Sequence, residues 1–128
     1  MKKLLLTLLA SLLVTGSAWA EWLKVGESDA IYAYIDLATI RKDGNIVRVW
    51  AINDLKQRNK DGELSTRIRA EFDCKQERQK YLSLSTHSGP MASGTTIYTY
   101  DFARSPANWS EIPPGSIGET VLKIVCSQ

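Results

Sequence analysis

Between residues 22 and 101 the hydrophobic positions recur mostly at every second residue, the period of a strand with one buried face. The clearest case is Thr66 to Cys74. Thr66, Ile68, Ala70, Phe72 and Cys74 share one side, and Arg67, Arg69, Glu71 and Asp73 share the other. Such a segment turns one face to a core and the other to water, as in an antiparallel sheet. Ile31 to Asp36 alternates likewise, with Ile31, Ala33 and Ile35 opposite Tyr32 and Tyr34. Asn45 to Leu55 is longer, with Val47, Val49 and Ala51 opposite Ile46, Arg48, Trp50 and Ile52; its tryptophan and β-branched residues suit a pleated surface. Trp22 to Val25, Lys80 to Thr86 and Thr95 to Asp101 complete the predicted strands. Asp43-Gly44, the polar run Gln57 to Gly62 and the stretch Thr86 to Gly94, THSGPMASG, supply turns.

The period changes near the C-terminus. Pro113-Pro114-Gly115 cannot continue a strand, and Ser116 with Glu119 has the Ser-x-x-Glu form of a capping box. Ile117, Val121, Ile124 and Val125 then fall on one helical stripe. The expected fold class is α+β: an antiparallel β-sheet of about five or six strands with a C-terminal helix packed on one face.

The first twenty residues, MKKLLLTLLASLLVTGSAWA, change where this domain is expected to work. Lys2 and Lys3 precede an apolar run from Leu4 to Val14, and Ala18-Trp19-Ala20 has the small-x-small form cut by signal peptidase. Residues 1–20 therefore read as a bacterial signal peptide cleaved between Ala20 and Glu21, and residues 21–128 as a single domain. No cysteine stands at the cut to carry a lipid, so the expected location is periplasmic or secreted without a lipid anchor. Removing Lys2 and Lys3 leaves 14 basic and 14 acidic residues, a formal net charge of zero, and so lacks the basic excess of a nucleic-acid binder. No transmembrane segment is expected in the mature chain. The only cysteines, Cys74 and Cys126, lie in the exported part, where an even pair reads as a disulfide.

Candidate chemistry is sparse. His87, the only histidine, stands beside Ser88 in THSGPMASG. A catalytic reading needs a base, a nucleophile and an orienting acid, whereas this run of turn formers reads first as a hairpin loop with a dispensable histidine. Asp54, Asp61 and Glu63 lack the spacing of a calcium loop, and no catalytic, cofactor-binding or metal residue is assigned. Arg48, Arg67 and Arg69 read as solvated face charges, with an anionic ligand as the sharper alternative. Tyr32, Tyr34, Tyr98 and Tyr100 define an alternative of another class, a periplasmic small-ligand binder or hydrolase using a sheet face.

Several features stand in a fixed order: Trp22 with Val25-Gly26; Tyr34-Ile35-Asp36; Val47-Arg48-Val49-Trp50; Ser65 before a strand ending Asp73-Cys74; a glycine-rich hairpin loop; Trp109 with Ile112-Pro113-Pro114-Gly115-Ser116; and Val125-Cys126. This set resembles the surface-adhesin protein E-like family of small exported bacterial proteins, from Trp22 to Cys126. The resemblance implies an antiparallel sheet with a C-terminal helix and one disulfide, no known enzymatic activity and no cofactor. It also implies an adhesin that binds host plasma and matrix proteins and forms dimers. Glu21 departs from a lipid-anchored adhesin, which needs a cysteine there. The reading is a non-enzymatic exported binding module, adhesin-like, with extracellular host or envelope proteins as partners, a homodimer as a further option, and no nucleic acid.

Overall fold

A computed structural model of the chain describes residues 20–103 and 108–128, so the expected leader lies outside the described residues except for Ala20. The described strands form one antiparallel sheet: β1 (Trp22–Glu27), β2 (Ile31–Asp36), β3 (Arg41–Asp43), β4 (Ile46–Leu55), β5 (Ser65–Asp73), β6 (Arg78–His87), β7 (Thr96–Asp101) and β8 (Ser110–Glu111). The main path runs β1-β2-β4-β5-β6-β7, while β3 pairs with β4 and β8 pairs with β6. These two short strands go beyond the predicted set. At three and two residues they are too short to show a period, and pairing with a long neighbour holds them.

Register decides which alternating positions share a face. Ile35 lies opposite Ala51, Ala51 opposite Ile68, and Ile68 opposite Leu84, so the apolar sides of β2, β4, β5 and β6 make one continuous surface. Helix α1 (Ile117–Cys126) lies across part of it, burying Val121, Leu122 and Val125 against Ile35, Val47, Val49, Ala70 and Phe72. Leu122 joins the predicted stripe. At 0% exposure Ile35, Val47 and Val125 are the innermost apolar side chains. The helix approaches β1 closely at Gly26, where an added Cβ would stand 3.1 Å from Ile117.

The capping box is half formed. Ser116 Oγ accepts from the Glu119 amide at 3.2 Å, but Glu119 turns its carboxylate to Lys123 one turn on. The far end of α1 is fixed covalently, as the cysteine count predicted: Cys74 and Cys126 form a disulfide with their Cα atoms 5.8 Å apart. Near the start of the described residues the Glu21 amide donates to Asp36 Oδ1 at 2.9 Å, and the Leu37 amide returns to the Glu21 carbonyl at 3.0 Å.

Candidate functional site

The glycine-rich connection between β6 and β7 was expected to hold His87 in a loop. His87 instead ends β6 and is buried at 8% exposure. It pairs with Ser65 across the strands, which places it on the sheet face opposite α1. Its Nε2 lies 2.8 Å from Ser85 Oγ, two residues back on the same face, and its Nδ1 lies 3.4 Å from Thr96 Oγ1. A serine and an imidazole are thus in contact, yet the ring's second nitrogen meets a hydroxyl where a hydrolase would place a carboxylate. Burial, and then the charge of Arg67, hold the His87 pKa below its ordinary value, so the imidazolium that a general base must become is disfavoured. The pair satisfies buried polar groups and lacks the partner that would make it a nucleophilic dyad.

The rest of that connection is held rigidly. Met91 and Ala92 both adopt left-handed backbone, with φ of 53° and 59°, a conformation that costs side-chain-bearing residues energy. Ser65, fully buried, compensates: its Oγ donates to the Gly89 carbonyl at 2.7 Å and accepts from the Ala92 amide at 2.9 Å. Asp54 accepts from the Met91 amide at 2.8 Å. Glu63 accepts from Asn59 Nδ2 at 2.7 Å. Among the described residues, no group of three or more His, Cys, Asp and Glu side chains is placed to hold a metal ion.

The four tyrosines do not form one surface. Tyr34 lies opposite Ile52 on the face away from α1, and Tyr32 shares that face with Lys24 and Lys56 over its ring. Tyr98 and Tyr100 lie opposite Thr86 and Leu84 on the helix side. Together with Phe102 they make an aromatic row along β7, the Tyr100 and Phe102 rings 4.5 Å apart. On the same side of the sheet the helix leaves open an apolar groove of about 170 Å³, between Ile117 and Val121 on one side and Ile31, Ala51, Ile68 and Tyr81 on the other.

The two ends of the main path differ chemically. β1 carries Lys24 and Glu27 and a bulge between Lys24 and Gly26, devices that discourage further pairing. β7 is exposed along its whole length, pairs on one side only among the described residues, and has no charge before Asp101. Ile97 is 40% exposed and Tyr98 is 53% exposed. Ile97, Tyr81 and Phe102 were absent from the sequence-derived candidates. The available signal was the lack of any Lys, Arg or Pro from Thr95 to Tyr100 in a chain otherwise dense in charge.

The face opposite α1 is polar but not uniformly solvated. Glu71 and Asp73, expected on an exposed side, are both buried at 6% exposure. Cross-strand register puts Arg48 on one flank of Glu71, with Nε 2.8 Å from the carboxylate, and Lys80 on the other at 3.3 Å. Arg78 covers Asp73 at 3.1 Å. Burial alone would raise the Glu71 pKa, but the hydrogen bonds and charges of Arg48 and Lys80 outweigh it and leave a net lowering. A carboxyl whose pKa is lower folded than unfolded stabilises above the unfolded value, and that stabilisation is lost as pH falls through the folded one. Glu71→Gln is accordingly expected to cost about 1 kcal/mol at neutral pH, because its cations keep access to water. Its stability should also fall less steeply than the wild type's below about pH 4.5, which urea titrations across that range will measure. Parallel curves for the two proteins would contradict this assignment.

The pattern of surface-adhesin protein E matches residues 22–127 of this chain. Among solved structures, crystal form II of Haemophilus influenzae protein E has a TM-score of 0.60 at 14% sequence identity, covering 82% of this chain and 96% of that one. Protein E from non-typeable Haemophilus influenzae gives a TM-score of 0.60 at 14% identity, with coverages of 83% and 75%. At such identities the structural likeness concerns the fold alone. No curated protein matches the chain. Because the family pattern runs unbroken from β1 through α1, the chain belongs to the surface-adhesin protein E family.

Proposed function

We propose that the protein is an exported, non-enzymatic, adhesin-like module that binds other proteins through β7 and the aromatic row beside it. The observation that carries this reading is the open edge of β7: unpaired backbone donors and acceptors flanked by exposed Ile97, Tyr98 and Tyr100, without a gatekeeping charge. An extended segment of a partner adds to such an edge by main-chain hydrogen bonds, and apolar side chains then select it. A second copy of the chain is one such partner, so the same edge accounts for a homodimer. Family membership supports extracellular host or envelope proteins as the partner class.

Residues 1–20 fit this role as a cleaved leader, with residues 21–128 as the one mature domain, released to the periplasm or beyond without a lipid. A chain beginning at Glu21 keeps that residue's ties to the sheet through Asp36 and Leu37. No described helix is long and apolar enough to cross a membrane.

The test is surface plasmon resonance with the exported protein against purified plasma, matrix and envelope proteins, alongside an Ile97→Ser/Tyr98→Ser variant. Binding in the micromolar range or tighter is expected. The variant should weaken it about thirtyfold, the effect of losing an aromatic anchor at an interface centre, with the melting curve little changed. Absence of binding, or binding indifferent to the two substitutions, would remove the proposal. Mass spectrometry of the exported protein checks the cut, because an N-terminus other than Glu21 contradicts it.

A further inference from the structure

We infer that the sheet face opposite α1 is a second binding surface, for a linear sulfated polysaccharide. Arg41, Arg48, Arg67, Arg69, Arg78 and Lys80 cluster on this face, with Lys24 and Lys56 farther along it over Tyr32. The carboxylates beneath them, Glu71 and Asp73, are buried and already paired with Arg48, Lys80 and Arg78. Arg67 and Arg69 meet no carboxylate among the described residues, and the residues outside that range contain neither Asp nor Glu. Asp43, Asp101 and Glu111 stand at the rim, and Glu27 and Asp54 lie at the Tyr32 end, so the stretch around Arg48, Arg67 and Arg69 stays positive.

Two tryptophans hold the cations in place. The Arg67 guanidinium lies 4.2 Å from the Trp50 ring centre, and Arg69 approaches the same ring at 6.0 Å. Arg78 and Lys80 lie 4.8 and 4.7 Å from the ring of Trp109. Cation–π contact restrains a long side chain while leaving its N–H groups directed at solvent. A guanidinium restrained in this way offers a planar fork for an oxyanion and loses less freedom on binding. Single stacked arginines are common on solvated sheet faces; four restrained cations over two rings make an ordered array.

The shape and composition select the occupant. Shallow depressions of about 230 and 430 Å³ flank Arg48 and Arg69 on either side, an open surface that suits a chain laid across strands better than an enclosed small anion. The rings of Trp50 and Trp109 each already carry two cations, whereas a nucleobase needs an open ring face to stack on. Exposed apolar side chains that would anchor a protein or a membrane are concentrated instead along β7. Repeated sulfate groups on a hydrophilic chain match the arginine forks and the intervening hydroxyls of Ser83 and Ser85.

The experiment titrates a heparin octasaccharide into the exported protein, its disulfide intact, at about 0.15 M salt and below. Arg67→Gln/Arg69→Gln is expected to weaken binding about tenfold or more, as two charge-assisted contacts are lost. Arg67→Lys/Arg69→Lys should fall between, keeping charge but losing the fork. Lys60→Gln/Lys123→Gln, with the same loss of charge elsewhere, should change affinity less than about twofold. Asp101→Asn should tighten binding by removing a rim carboxylate. The Ile97→Ser/Tyr98→Ser variant should bind heparin normally, which separates this surface from the β7 edge. The inference falls if heparin does not bind, or if both glutamine variants lose affinity equally. It also falls if polyglutamate or duplex DNA binds through Arg67 and Arg69 as tightly as heparin does.

Discussion

Replacing Cys126 with serine should lower stability by about 4 kcal/mol, the largest single effect expected in this chain. The bond links positions 52 apart, and in the chain-entropy account closing a loop of that size restricts the unfolded ensemble by about this amount. At roughly 5 °C per kcal/mol for a domain of about 100 residues, the melting temperature should fall by about 20 °C. The loss will not spread evenly. α1 has ten residues, too few to be stable alone in water, and its capping box is half made. Its docking rests on Val121, Leu122 and Val125, with the disulfide holding the last turn over Phe72. The helix should therefore open before the sheet in the variant, visible as faster amide exchange in residues 120–126 than in β4 and β5. Calorimetry and hydrogen exchange check both parts. An unchanged melting temperature, or helix and sheet amides exchanging together, would show that the bond does not tether the helix in the way described.

Ser65→Ala should cost about 2–3 kcal/mol although it removes a single oxygen. That oxygen satisfies a carbonyl and an amide of the β6–β7 connection from a position with no exposure to solvent. Each buried group left without a partner loses about 1–3 kcal/mol. The left-handed turn at Met91 and Ala92 would lose one of its restraints, and Asp54 alone is not placed to reach the Ala92 amide. The measurable signature is a drop of about 10–15 °C in melting temperature together with rapid exchange of the Ala92 amide. Thr66→Ala, one position along and half-buried, serves as the comparison. If the two variants melt alike and Ala92 stays protected, Ser65 is not the clamp of this connection.

Local periodicity made β2, β4, β5 and α1 legible, because in each the apolar positions follow one face without interruption. What it could not reveal is which polar residue lies beneath which neighbour. Glu71 and Arg69 sit on the same side of β5 and look equivalent in the sequence. Yet Glu71 is enclosed by Arg48 and Lys80, whereas Arg69 lies open over Trp50. That difference belongs to strand order and register, long-range pairings with no local trace. His87 shows the same limit from another side: surrounded by turn formers, it reads as loop, and the pairing with Ser65 draws it into β6. The four tyrosines divide between two faces because β2 and β7 sit at different places on the path and present opposite parities. The open edge of β7 was closer to being legible, since its stretch lacks the charges and prolines that guard a terminal strand.

The Cys74–Cys126 bond encloses β6, β7, β8 and all of α1 within one covalent ring. A single peptide bond cut anywhere inside that ring, in the connections flanking β7 for example, opens the ring without separating the pieces. The severed parts remain one molecule, joined through sulfur, with β7 still hydrogen-bonded to β6. Only a second cut, or a reductant, detaches the aromatic strand from the sheet. The edge proposed as the binding surface thus lies on the part of the chain that a first nick cannot carry away.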